Sequence, residues 1–395
     1  MAGELKKLWV LLSLRVLLSV SGSWSGVRAQ TQAQVPCYFV FGDSLVDNGN
    51  NNAISSLAKA NYRPYGIEFP RGPTGRFCNG RTTADVFGEF HTSLSYSSTG
   101  QNWASSKPLF FFLPLNFWVS IIPPYATTRG QDVLKGVNYA SAAAGIRDET
   151  GQQLGARISM NRQLRNYKNT VSQIVNILGD ENSAADYLSK CIYSVGMGSN
   201  DYLNNYFMPQ IYSTSCRYTP EQYADVLIKQ YSKQLRTLYK YGARKVVLIG
   251  VGQIGCSPSE LAQFSPNGTA CVERINRANQ LFNIRLKSLV DNFNKNLADA
   301  KFIYVNAYGI FQDLLENPSS FGFRVTNAGC CGVGRNNGQI TCLPFQIPCP
   351  KRDEYLFWDA YHPTEAVNVI IARRSYSAQS SSDTYPIDIR RLAQL

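Results

Sequence analysis

Histidine is nearly absent from this chain: its 395 residues hold two, His91 and His362. That scarcity argues against a metal centre built on imidazole. The ten cysteines do not make up for it, because no pair has zinc-ribbon spacing. No metal and no cofactor is therefore expected. Clustered basic residues are lacking as well. Lys and Arg number 39 against 27 Asp and Glu, a formal charge of +12, but they are dispersed, with no basic run and no aromatic–basic signature. Nucleic acid is thereby excluded as an expected partner. The surplus charge reads as a solvated basic surface or, more sharply, as a weak association with an acidic polymer or anionic surface. There is no internal repeat and no heptad pattern. No G-x-S-x-G elbow occurs either, which disfavours the usual α/β-hydrolase arrangement.

The amino terminus differs from the rest. Lys6 and Lys7 precede an apolar run from Leu8 to Val20, and Val27-Arg28-Ala29 fits a small-x-small cleavage site. Residues 1–29 are expected to be a secretory signal peptide. The run is too short to span a bilayer, which takes about 20 apolar residues, so no stable membrane span is expected. Ten cysteines suit export, where disulfides persist. The four from Cys330 to Cys349 look like a stapled loop, with connectivity left open. Asn267-Gly268-Thr269 is a glycosylation sequon in a Gly- and Pro-containing stretch, so Asn267 is the expected acceptor on an exposed loop.

After the leader, short β-rich runs alternate with longer helical ones. Strands are expected at Cys37–Phe41, Gly136–Ala140, Cys191–Val195, Lys245–Ile249 and Phe302–Val305. Helical periodicity fills Pro220–Tyr241, opened by Thr219-Pro220-Glu221, and Val272–Leu297. Alternation of this kind predicts an α/β fold: a parallel sheet with helices on both faces, in one domain from residue 30 to 395. Ligands in such sheets bind beyond the carboxyl ends of the strands. Polar, glycine-rich motifs fall where three of these strands end.

A serine nucleophile needs a base, and His362 stands in Trp358-Asp359-Ala360-Tyr361-His362-Pro363. Asp359, three residues earlier, can reach back to one imidazole nitrogen and fix its tautomer. By itself that spacing also suits a surface His near an Asp. Ser44 follows the first strand in Phe41-Gly42-Asp43-Ser44, as a nucleophile or as an ordinary helix N-cap. The two are compatible, since a helix N-terminus favours a developing oxyanion. Asn200, in Gly198-Ser199-Asn200-Asp201, is an oxyanion donor or an Asx turn. Small residues in Asn138–Ile146 let the backbone approach a substrate, or simply pack tightly.

Together the four blocks FGDSLVDNGN, NYASAAAGI, VGMGSNDY and FWDAYHPTE resemble those of the plant-type GDSL esterases/lipases of the SGNH hydrolase superfamily, in the same order. The resemblance runs from about Val35 to Leu395. It implies a flavodoxin-like three-layer α/β/α sandwich with a five-stranded parallel sheet. It implies Ser44 as nucleophile, His362 as general base then acid, and Asp359 as orienting carboxylate. The implied oxyanion donors are the Ser44 N–H, a backbone N–H of the second block and the Asn200 side chain. Many relatives carry glycine where Ala143 stands, which leaves either Ala143 or Gly145 as the second donor. The implied substrate is a small-molecule ester or lipid, and the implied location is the cell wall space of a plant. Two other functions use the same residues differently: an acyltransferase sharing the acyl-enzyme, and a catalytically silent secreted wall protein. One stretch departs from the family, an atypical insertion at about 91–120 ending in PLFFFLPLNFWVS. It reads as an irregular packed insertion, a lipid-facing loop, or translated intron.

Overall fold

The computed structural model describes residues 34–92 and 121–395. The expected signal peptide and nearly all of the 91–120 segment lie outside the described residues. Four five-residue strands form the centre: β1 (Tyr38–Gly42), β2 (Ile192–Gly196), β3 (Lys245–Ile249) and β4 (Lys301–Val305). Their sequences, YFVFG, IYSVG, KVVLI and KFIYV, are nearly continuous apolar runs, as strands covered on both faces require. They pair in parallel in the order β1-β2-β3-β4, in one register: Val40, Ser194, Val247 and Ile303 stand side by side.

Alternate residues of the strands enter two separate cores. Phe39, Phe41, Tyr193, Val195, Val246, Leu248 and Phe302 face one side. There they meet α2 (Met160–Leu178), α3 (Pro220–Lys240) and α4 (Glu273–Asn296). Tyr38, Val40, Ile192, Val247, Ile303 and Val305 face the other, against α1 (Thr83–Thr92), α6 (Glu365–Tyr376) and α7 (Ile389–Gln394); α5 (Ala307–Glu316) adds Ile310 there. The result is the expected three-layer α/β/α sandwich. Helix α3 shows why these segments are helical. Thr219 Oγ1 accepts from the Gln222 N–H and Gln222 Oε1 accepts from the Thr219 N–H, with Pro220 at the first helical position. Tyr223, Leu227, Tyr231, Leu235 and Leu238 then form its buried stripe.

The fifth strand is not the one expected from the sequence. It is the two-residue Thr384–Tyr385, antiparallel to β4. The run Gly136–Ala140 does lie parallel to β1, with Tyr139 N donating to Val40 O at 2.8 Å, but it makes only an isolated bridge through Asn138. Asn138 also bridges Pro124 on its outer side, and a proline has no N–H to extend the ladder. A separate parallel pair, Val325–Gly329 with Tyr355–Phe357, leads into the Asp359 segment. Cys330–Cys349 and Cys331–Cys342 staple the loop between these strands, as the cysteine cluster suggested; Cys256–Cys271 closes a second loop. Cys37–Cys191 joins the starts of β1 and β2 across 154 residues. Cys78 is a buried free thiol and Cys216 an exposed one.

Peptide mapping of unreduced protein should recover these four disulfides, with Cys216 alkylated in the native state and Cys78 only after unfolding. The Cys37→Ala/Cys191→Ala double variant should lose about 2–4 kcal/mol of stability in urea unfolding, because the link removes loop entropy from the unfolded chain.

Candidate active site

The shared register brings Gly42, Gly196, Ile249 and Val305 level at the carboxyl edge of the sheet. The residues that follow β1 and β2 therefore emerge together. Ser44, Ala143, Asn200 and His362 line one cleft there, with an empty volume of about 960 Å³. Gly145 does not line it.

Ser44 follows β1 in a turn and not at the start of a helix. Val46 N and Asp47 N both donate to Asp43 O, and no described helix begins between Ser44 and α1. The helix N-cap expected for Ser44, and the helix field at its oxyanion, are thus absent. The turn is pinned instead by side chains: Leu45 N donates to Asp43 Oδ1 at 3.0 Å, and the buried Gln163 of α2 accepts from Gly42 N and donates to Gly42 O. A Cβ on Gly42 would stand 2.6 Å from Val46 Cγ2, so glycine is what lets the chain turn this tightly.

His362 Nε2 lies 2.8 Å from Ser44 Oγ, and His362 Nδ1 lies 2.9 Å from both carboxylate oxygens of Asp359. The loop carrying the pair is closed by Trp358 N donating to His362 O and by a bridge between Phe357 and Pro363. Asp359 is completely buried. Its Oδ1 also accepts the N–H groups of Tyr361 and His362, and its Oδ2 the hydroxyls of Tyr65 (2.5 Å) and Thr341 (3.3 Å). Burial works to raise its pKa, but the His362 imidazole and these donors outweigh it and hold the carboxyl below its ordinary value. An ionised Asp359 only accepts, so Nδ1 carries the imidazole hydrogen and the Nε2 lone pair is left for Ser44.

Asn200 is set by its neighbours. Asn204 Nδ2 donates to Asn200 Oδ1 at 2.7 Å, which points the Asn200 amide nitrogen toward Ala144 O at 3.0 Å and leaves its second N–H unspent. The backbone N–H groups of Ser44 and Ala143 donate to no acceptor among the described residues. Ala143 has φ of +62°, in the left-handed region that favours glycine. That geometry explains why glycine suits this position. Gly145 is small for another reason: a Cβ there would fall 2.7 Å from the Asp201 carboxylate and 2.6 Å from Thr150 Cγ2.

Several residues that shape the cleft had no role assigned from the sequence. Asp47 accepts N–H groups from Gly49, Asn50 and Ala142, so it ties the Ser44 block to the second block. Asp201 does the same between the second and third blocks, accepting from Ile146 N, Arg147 N and Thr150 Oγ1. Both lie within the motifs, and an Asp before Asn-Gly was a visible cue. Tyr65, Thr341 and Gln163 gave none, because they meet their partners across long stretches of chain. Asp43, Asp47 and Asp201 are buried, which pushes each pKa up to about 6 against the pull of their N–H donors. Asn267 is exposed, in a loop where its Oδ1 accepts from Thr269 N and Ala270 N. Among the described residues no cluster of His, Cys, Asp or Glu is placed to hold a metal ion.

Known proteins resemble the chain over nearly all its length. The family profile described as GDSL-like Lipase/Acylhydrolase matches residues 38–375. GDSL esterase/lipase At1g29670 of Arabidopsis thaliana is 63% identical over 380 residues, covering 96% of this chain and 97% of its own. GDSL esterase/lipase At1g29660 of the same plant is 60% identical over 387 residues, 98% of each chain. GDSL esterase/lipase 7, also from Arabidopsis thaliana, is 46% identical over 389 residues, 98% of this chain and 99% of its own.

Two measurements follow. Ala143→Gly relieves a left-handed alanine at about 1–2 kcal/mol but loses about 0.5–1 kcal/mol to unfolded-chain entropy. It should therefore raise unfolding free energy slightly, by about 1.5 kcal/mol at most, and leave turnover intact. The pH dependence has a definite sign. The unfolded carboxyls titrate near 3.8 and the folded Asp43, Asp47 and Asp201 near 6. The folded state thus holds protons that the unfolded state has lost, and stability falls as pH rises through that window. The melting temperature should climb as pH is lowered from about 7 to about 5, while the depressed pKa of Asp359 acts only below that range.

Proposed function

This chain belongs to the GDSL-like lipase/acylhydrolase family and is a carboxylic ester hydrolase, and we propose that it works through a Ser44–His362–Asp359 triad and an acyl-enzyme. The observation that carries the reading is the unbroken line from the Asp359 carboxylate through His362 to Ser44 Oγ, at 2.9 and 2.8 Å. His362 Nε2 takes the Ser44 proton as Oγ attacks the ester carbonyl carbon. The carbonyl oxygen becomes an oxyanion and receives hydrogen bonds from the Ser44 N–H, the Ala143 N–H and the free N–H of Asn200. Collapse breaks the bond to the alcohol, which leaves with the proton held by His362. Water then repeats the sequence on the acyl-enzyme, with His362 again as base, and the carboxylic acid departs.

Position in the cleft favours Ala143 over Gly145 as the second donor, since Ala143 lines it beside Ser44 and Gly145 packs against Asp201. Tyr65 is a positioning residue that acts through Asp359, to which its hydroxyl donates. We read residues 1–29 as a signal peptide and the mature domain as secreted. The leader's composition supports this.

Ser44→Ala should abolish ester hydrolysis and labelling by a fluorophosphonate; retention of either overturns the nucleophile. Asp359→Asn, which leaves the wrong imidazole tautomer, should lower kcat by about 10⁴-fold. Asn200→Ala should lower kcat by about 10²–10³-fold with little change in KM, because its N–H binds the oxyanion and not the ground-state carbonyl.

A further inference from the structure

A second cavity lies against the Ser44 cleft, on the α1/α6 face of the sheet, with an empty volume of about 1020 Å³. Asp43, Leu45, Ser199, Ile254 and Tyr361 line both spaces, so the residues flanking Ser44 are the wall between them. Its lining is apolar: Phe87 from α1, Met197 after β2, Ile249 from β3, Phe311 from α5, and Phe357. Among the described residues no lysine or arginine lines it, and Asp43, at the wall shared with the cleft, is the one carboxyl that does. The polar side chains that reach it are largely spent on the protein. Tyr38 Oη bonds Ser194 Oγ at 2.7 Å and Asn368 Nδ2 donates to Arg81 O at 2.9 Å. Ser257 alone among the lining side chains has a buried hydroxyl with no partner.

An apolar lining gives water few partners. A sugar or a charged ligand would find almost nothing to bond with, whereas a hydrocarbon chain needs only apolar surface. Leu45, next to the nucleophile, is 41% exposed, so apolar surface remains uncovered where the cavity meets the cleft. The cleft, by contrast, is lined by Lys59, Tyr62 and Asn204 as well, which suits a more polar alcohol portion.

We propose that this apolar cavity, and not the more polar cleft beside it, receives the acyl chain, so that the enzyme prefers esters of aliphatic acids several carbons long, with Ala84, Phe87 and Phe311 setting the chain length. The proposal rests on the reading of Ser44 as nucleophile. An ester carbonyl held at Ser44 Oγ would pass its chain beneath Leu45 into the space between α1 and α5, leaving the alcohol in the cleft.

The test compares hydrolysis of p-nitrophenyl octanoate and p-nitrophenyl acetate by the full-length protein, its Ala84→Phe variant and its Phe311→Ala variant. Wild type should favour octanoate in kcat/KM by about tenfold or more, since each buried methylene adds to transition-state binding. Ala84→Phe, which fills the cavity from α1, should cut the octanoate value by about tenfold and leave acetate within about twofold. Phe311→Ala, which enlarges the cavity, should move the preferred chain upward to decanoate or laurate. An octanoate-to-acetate ratio that neither substitution changes overturns the proposal. If Ala84→Phe fails to fold, judged by circular dichroism, the chain preference of Phe311→Ala decides alone, and an unmoved preference overturns it. Acetate hydrolysis surviving in Ser44→Ala is a different failure: it removes the nucleophile on which the proposal rests.

Discussion

A carboxylate with no solvent exposure is tolerable only if every lone pair is satisfied, and Asp359 meets that condition with donors from its own turn and from two other parts of the chain. Tyr65 comes from the segment after the Ser44 block, Thr341 from the disulfide-closed loop, and the N–H groups of Tyr361 and His362 from its own turn. Remove any of these regions and a buried charge is left partly unpaired, which costs several kcal/mol in a low-dielectric interior. The position of His362 is therefore a by-product of solving the Asp359 problem. The imidazole is the remaining donor, and its ring tips toward Ser44 because its other side is fixed, with Phe77 packed against it at 5.0 Å between ring centroids. The disulfides Cys330–Cys349 and Cys331–Cys342 belong to the same solution, because they hold the loop that delivers Thr341.

The same device recurs on the other side of the cleft. Asp47 and Asp201 are buried carboxylates whose partners are mostly backbone N–H groups, and each spans two sequence blocks. Loops carry most of this site, and loops ordinarily move more than the elements they join. Here each block is tied to the next by a carboxylate that would be costly to unpair. Charge-assisted hydrogen bonds to backbone N–H groups are roughly twice as strong as neutral ones. Rigid donors at fixed positions are what an oxyanion site needs, since a hydrogen bond that must reorganise during the reaction contributes less to it.

Much of this was legible in the sequence, for a physical reason. Strands buried on both faces are written as runs such as KVVLI, and a helix such as Pro220–Lys240 announces its cap and stripe. With two histidines in the whole chain, the partner of any nucleophilic serine was restricted almost by counting. What stayed illegible depends on long-range packing. The Ser44 turn imitates a helix cap in composition, but the Asp43 carboxylate and Gln163 satisfy its backbone, so no helix is needed there. Gly136–Ala140 has the apolar alternation of a strand, yet its outer neighbour is Pro124, and nothing in the run itself reveals that. Tyr65 is one aromatic among 23 tyrosines until Asp359 is placed against it.

Ala143 shows how these two kinds of information meet. Its left-handed backbone turns the residue between two carboxylate-held neighbours: Ala142 N is fixed by Asp47, and Ile146 N by Asp201. With both flanks bound, the alanine has no freedom to relax toward a negative φ without breaking a hydrogen bond to a buried charge. An unfavourable conformer worth about 1–2 kcal/mol is outweighed by contacts that would each cost about as much or more to lose. The conformation in turn leaves the Ala143 N–H without a protein acceptor beside Ser44. The strain and the unspent donor are thus two consequences of one arrangement. A glycine at 143 would keep the donor while removing the strain, whereas a β-branched residue, poorly accommodated at positive φ, would break the arrangement from within.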